Sequence, residues 1–187
     1  MERASRNIAY TAIVLMAVFT VLGSLFIAGY AFDDPGGWTA VGIVALWLVP
    51  LVLLTALSYR RPEGAAWLLG VLLVVAGLLW ASHAVDMAWW REVLDTVDPA
   101  LGIATFVLAL PIALLGLSRP GTAGILLLLL AALPHLAEFI AHDRPWPGLL
   151  NAMTTSSTMP SGPALVVGLM LLLAGLLGHL GRRQPPV

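Results

Sequence analysis

The side chains with the most chemical potential fall near one end of two long apolar stretches. His83 and Asp86 are three residues apart at the end of the third stretch. His135, Glu138 and His142 stand at i, i+3 and i+7 in the fifth. Each spacing places its group on one face of a helix. Because imidazoles and carboxylates exchange protons and bind polar solutes, the pattern predicts a ligand- or proton-binding site. Its residues are His135, Glu138, His83 and Asp86.

The same residue types also suit a divalent metal such as zinc, iron or manganese. The predicted metal ligands are His83, His135, Glu138 and His142, and no cofactor beyond such a metal is indicated. A third interpretation is that these groups are solvated where a helix leaves a membrane. That interpretation is favoured for Asp86 and His142. For His135 and Glu138, which lie deeper in their stretch, a functional role is favoured because a carboxylate in lipid is costly.

Composition places these residues in a membrane protein. Of 187 residues, 60% are apolar and only 10% are charged, with a mean hydropathy of +0.96. Six apolar stretches approach the length of about 20 residues that crosses a bilayer, and such segments must be helical to pair their backbone groups. We therefore expect an all-α, polytopic integral membrane protein in which residues 1–187 form a single six-helix domain. The predicted spans are about 8–31, 38–58, 65–84, 100–117, 122–141 and 164–180.

The arginines predict the orientation of these spans. Seven of the nine fall in alternate connections: Arg3, Arg6, Arg60, Arg61, Arg119, Arg182 and Arg183. By the positive-inside rule, both termini are cytoplasmic and the chain is integral to the cytoplasmic (plasma) membrane. The absence of lysine beside abundant Ala, Gly, Leu and Arg suggests a GC-rich bacterial genome. A net charge of −1 without a basic run argues against a nucleic-acid partner.

Two outer connections carry additional structure. The pattern over 88–97 predicts a short amphipathic helix in the outer interface, with an extension of the third span as the alternative. The last connection, 142–163, is the longest and is either a lid or a plain extracellular linker. Ser156, Ser157 and Ser161 are hydroxyl nucleophile candidates within it, but no G-x-S-x-G elbow accompanies them.

Several residues within the spans bear on packing. Prolines interrupt three spans, where they either line a cavity or produce a static kink; they are Pro50, Pro111 and Pro134. A stripe of small residues in the sixth span predicts close internal helix packing, with an oligomer contact as the alternative; its members are Ala164, Gly168, Gly175 and Gly178. Trp47 is lipid-facing, a core residue or a stacking platform for a ligand.

Three functions fit this pattern. The first is a small-solute or ion-binding membrane transport component with an outward-facing His/Glu/Asp pocket between helices 3 and 5. The second is an accessory or structural subunit of a larger membrane complex. The third is a metal-dependent membrane enzyme that uses the same His/carboxylate cluster. The expected partners are the lipid bilayer and either membrane partner subunits or further copies of the chain.

Overall fold

The computed structural model of the chain is all-α, as predicted. It describes residues 2–34, 36–84, 103–142 and 161–182, and within them it leaves the side chains of 2, 80, 82–84, 137–142 and 182 undescribed. These ranges contain six helices. In chain order they are α1 (Glu2–Asp33), α2 (Gly37–Arg60), α3 (Pro62–Ala84), α4 (Ile103–Leu115), α5 (Pro120–His142) and α6 (Ser161–Arg182).

Four of the helices, α1, α2, α3 and α6, are long and apolar enough to cross a membrane. α4 and the Pro120–Leu136 part of α5 are shorter apolar segments within the described ranges. Large apolar side chains point outward: Leu46 is 79% and Trp67 is 78% exposed. A soluble protein avoids a surface of this kind, whereas lipid solvates it. The prediction of a helical membrane protein is therefore confirmed at this level.

Some predicted features lie outside the described residues. These are the interfacial helix over 88–97, the start of the fourth span at residue 100, and residues 143–160 of the last outer connection. The helices that are described extend beyond the predicted spans at several ends, for example to Glu2 in α1. Hydropathy marks only the apolar part of a helix, and backbone hydrogen bonding continues past it into the polar flanks.

Short links reverse the chain between consecutive helices. Gly36 and Gly37 connect α1 to α2 with φ angles of 67° and 58°, which glycine adopts without a steric penalty. The amide of Gly36 donates to the carbonyl of Ala31 at 3.0 Å, which caps the end of α1. Arg61 alone separates α2 from α3, and its amide donates to the carbonyl of Leu57 at 2.8 Å. Links this short bring consecutive helices alongside each other in opposite directions.

α3 and α5 lie side by side and run in the same direction. At their first turns, Arg119 Nη2 donates to Glu63 Oε1 at 2.7 Å. Further along, a Cβ placed on Gly77 would lie 3.1 Å from Leu133 Cδ2. Both pairs are separated by 56 positions in the sequence, so the helices keep one register over about four turns.

α5 and α6 pack antiparallel with their backbones almost in contact. A Cβ on Gly175 would lie 2.8 Å from the backbone nitrogen of Gly121. A Cβ on Gly124 would lie 2.7 Å from the nitrogen of Leu172 and 2.9 Å from the oxygen of Gly168. We call these four glycines, Gly121, Gly124, Gly168 and Gly175, the glycine seam. The predicted internal packing of the small-residue stripe in α6 is thereby confirmed.

Trp47 belongs to the core. It is 5% exposed and meets the ring of Phe106 in α4 edge-on, with centroids 6.4 Å apart and an interplanar angle of 77°. Phe106 also contacts Phe19 of α1 at 6.3 Å and fills the space beside Gly23. Edge-on aromatic contacts of this kind stabilise the packing of α1, α2 and α4. Of the interpretations of Trp47, core packing is confirmed and a lipid-facing position is wrong.

The glycine seam predicts that one added methyl group destabilises the bundle. We expect Gly124→Ala to lower the free energy of unfolding by about 1–3 kcal/mol, because its Cβ would overlap backbone atoms of α6 that cannot rotate away. Thermal unfolding of the purified protein in detergent measures this. Gly70→Ala in α3 is the control, since a Cβ there meets nothing within 4 Å. The alanine at Gly70 should leave stability unchanged or raise it by up to about 1 kcal/mol. Equal melting temperatures for the two variants would contradict the seam.

Candidate functional site

The described part of the predicted site centres on a histidine–serine pair between α5 and α6. His135 Nε2 and Ser161 Oγ are 3.1 Å apart, which is hydrogen-bonding distance. Ser161 is the first residue of α6 and is 1% exposed. A serine hydroxyl both donates and accepts, so the pair is satisfied with either tautomer of the ring.

Helix register, rather than local sequence, brings the two residues together. His135 lies 14 residues beyond Gly121 in α5, and Ser161 lies 14 residues before Gly175 in α6. In two antiparallel helices, equal displacements in opposite directions stay at the same height. The pair is therefore the continuation of the glycine seam towards the other end of the interface, about 22 Å from the start of α5.

The interface between the seam and the pair is apolar. Leu130 and Ala131 of α5 are 0% and 1% exposed, and Ala164 and Val167 of α6 are both fully buried. Against this background, His135 and Ser161 form a polar contact in a contact surface otherwise built from small and aliphatic side chains. In a bilayer such a hydrogen bond contributes roughly 0.6–2 kcal/mol to helix association.

The other predicted site positions come to a similar height through the α3–α5 register. The offset of 56 positions that relates Glu63 to Arg119 also sets Ser82 beside Glu138 and His83 beside the next residue of α5. The backbone positions of His83 and Glu138 therefore lie within about one helical turn of each other on adjacent helices. This agrees with the sequence prediction that both lie at one level.

The structure places the predicted site residues unequally. His135 is described with its side chain. His83, Glu138 and His142 lie in helices whose backbone is described but whose side chains are not, and Asp86 lies outside the described residues. Among the groups that the structure does describe, no cluster of three His, Asp or Glu side chains could hold a metal ion. The proton- or ligand-binding set and the metal set both stay predictions.

Ser161 is the site residue whose role the sequence analysis missed. It appears there as one of several hydroxyl nucleophile candidates in a connection, without a partner. The signal that finds it is the stripe of small residues in α6: once Gly168 and Gly175 are aligned with the glycines that begin α5, His135 and Ser161 fall opposite each other.

The arrangement is suited to two kinds of chemistry. A serine hydroxyl within reach of an imidazole is the pattern of an activated nucleophile and its base. An exposure of 1% for Ser161 gives a substrate carbonyl no approach to the hydroxyl in this conformation. Binding of a proton or a small ion needs far less space, and imidazole is the side chain that titrates near neutral pH. The geometry therefore favours ion or proton binding over acyl transfer.

Comparison with known proteins adds no assignment. No family model, curated protein or solved structure matches the chain. The interpretation of the site consequently depends on its own residues and on the packing that positions them.

A double-mutant cycle tests the histidine–serine pair. We expect His135→Leu and Ser161→Ala to be coupled by roughly 0.5–1.5 kcal/mol in the free energy of unfolding, because each removes one side of the same hydrogen bond. Ser58→Ala is a matched control: Ser58 is also buried, and its hydroxyl has no hydrogen-bond partner among the described residues. Its coupling to His135→Leu should be near zero. Equal coupling in both cycles would mean that the 3.1 Å contact contributes nothing specific.

Proposed function

We propose that the chain crosses the cytoplasmic membrane six times with both termini in the cytoplasm. The arrangement of the charged ends supports this. Arg3 and Arg6 line one cavity together with Ser118 of the α4–α5 turn, and Arg119 pairs with Glu63 at the start of α3. The arginine-bearing connections thus converge at one end of the bundle. The positive-inside rule assigns that end to the cytoplasm.

Single cysteines test the orientation, because the natural chain has none. We expect a membrane-impermeant maleimide added to intact cells to label Asp34→Cys in the α1–α2 turn. Ser118→Cys in the α4–α5 turn should be labelled only after the membrane is permeabilised. The opposite labelling pattern would reverse the orientation, and labelling of both sites in intact cells would exclude an odd number of spans between them.

Within this architecture, we infer that the chain is a small-solute or ion-binding component of membrane transport. The observation that carries this is the hydrogen bond between His135 and Ser161 inside an apolar helix interface. The glycine seam already packs α5 against α6 without any polar side chain, so the pair is not needed to hold these helices together. An ionisable side chain at such a depth is, by default, a candidate for an ion or proton pathway.

The neighbouring proline adds a further reason. Pro134 lies inside α5 directly before His135, and it has no amide to donate to the carbonyl of Leu130. The segment that carries His135 is therefore less tightly bonded to the preceding turn than an ordinary helix would be. Interrupted helices beside a binding site are a recurring feature of secondary transporters. In the proposed pocket, Glu138, His83 and Asp86 supply the remaining polar groups.

A ligand screen on the purified full chain tests the proposal. We expect protons, a divalent cation or a small polar solute to change the melting temperature, since a ligand at 100 times its Kd stabilises by about 2.7 kcal/mol. His135→Leu should abolish the response. His179→Leu, which removes an exposed histidine near the end of α6, should retain it.

The outcomes of this screen separate the three functions. A response to one ligand that requires His135 supports the transport proposal, and flux of that ligand into proteoliposomes then completes the test. Stoichiometric metal in the purified protein, lost in His135→Leu, would instead favour the metal-dependent enzyme. A melting temperature that is flat across all conditions would favour an accessory subunit.

A further inference from the structure

A second polar feature lies at the opposite end of the bundle. A cavity of about 660 Å³ opens between the first turns of α1, the α4–α5 turn and the end of α6. Arg3, Arg6 and Tyr10 form its polar wall from α1, while Ala9 and Leu117 give it an apolar side. A volume of this size lies within the range of small-molecule sites.

The cavity carries an unbalanced positive charge. Arg3, Arg6 and Tyr10 stand at i, i+3 and i+7, so they share one face of α1. No lining residue is acidic, and neither arginine forms an ion pair with another described residue. Nearby Arg119 differs, because Glu63 binds it at 2.7 Å. Two guanidinium groups are therefore left to an external anion.

The fold holds this wall in place. Ser5, between the two arginines, donates its hydroxyl hydrogen to the carbonyl of Ala174 in α6 at 2.7 Å. A Cβ on Gly178 would lie only 3.3 Å from the same hydroxyl oxygen, so α1 and α6 approach closely here. Across the cavity, the hydroxyl of Ser118 donates to the carbonyl of Leu115 at 3.1 Å and stabilises the α4–α5 turn. The cation-bearing turn of α1 is thus anchored before any ligand binds.

We propose that this cavity binds a phosphate group, with Arg3 and Arg6 as its ligands. The planar guanidinium presents paired donors that match phosphate oxygens, and two of them on one helix face surround one anion. The volume exceeds that of phosphate alone, and the apolar side from Ala9 and Leu117 fits the carbon portion of a phosphate ester. Two sources supply this chemistry: an anionic lipid headgroup at the membrane surface, and a soluble phosphate compound.

Binding to the purified full chain in an uncharged detergent tests the proposal. The probes are dioctanoyl phosphatidylglycerol, dioctanoyl phosphatidylcholine and sodium phosphate at matched ionic strength. We expect the double variant Arg3→Gln/Arg6→Gln to weaken binding of the anionic probe by roughly 30-fold, about fivefold for each guanidinium. Arg60→Gln/Arg61→Gln is the matched control, since it removes the same charge from residues that do not line the cavity.

A third variant keeps the test valid if the glutamines disturb membrane insertion. Arg3→Lys/Arg6→Lys preserves the charge that sets orientation and removes the paired donors, so its affinity should fall between those of the natural chain and the glutamine variant. Phosphatidylglycerol binding without competition by phosphate assigns a lipid headgroup. Binding of phosphate itself, lost in the same variant, assigns a soluble source.

Three results would overturn the proposal. They are equal losses in the cavity variant and the control, equal binding of phosphatidylglycerol and phosphatidylcholine, and no binding of any probe. The site lies at the opposite end of α5 from His135, so none of these results bears on the transport proposal.

Discussion

Close backbone contact between α5 and α6 is the constraint on which the rest of the structure depends. Inside a bilayer, apolar side chains gain nothing by leaving lipid for protein, so helices associate through tight packing. The glycine seam provides that packing by removing every side chain from the line of contact. Because the contact involves backbone atoms, it also sets the relative height of the two helices to within a residue.

That height determines what the far ends of the helices can do. Fixed in register by the seam, α5 and α6 bring an imidazole and a hydroxyl to 3.1 Å at the end away from the arginines. α3 then runs alongside α5 with its own constant offset, so its last turns reach the same level. Three helices converge on the candidate site, and the packing that aligns them is built from residues without any chemistry of their own.

The helices and the membrane class follow from the sequence because they depend on local composition. A run of about 20 apolar residues specifies a helix regardless of its neighbours. The depth of His135 along α5 follows for the same reason, since it requires only counting from the start of the stretch. Ser161 could not be assigned in this way. Its partner is 26 positions distant, and the pairing depends on which faces of two helices meet. Trp47 shows the same limit: mid-span placement was predictable, but burial against Phe106 was not.

The length of α1 has a consequence for the whole bundle. Its 32 residues extend about 48 Å, well beyond the roughly 30 Å of a hydrocarbon layer. A helix with this excess has to lean or protrude, and the lean depends on bilayer thickness. Ser5 ties the first turns of α1 to α6, so a change in thickness acts on α1 as on a lever pivoted near its base. The distal half, towards Phe19 and beyond, then swings relative to α2 and α4, making this bundle responsive to the lipid in which it resides.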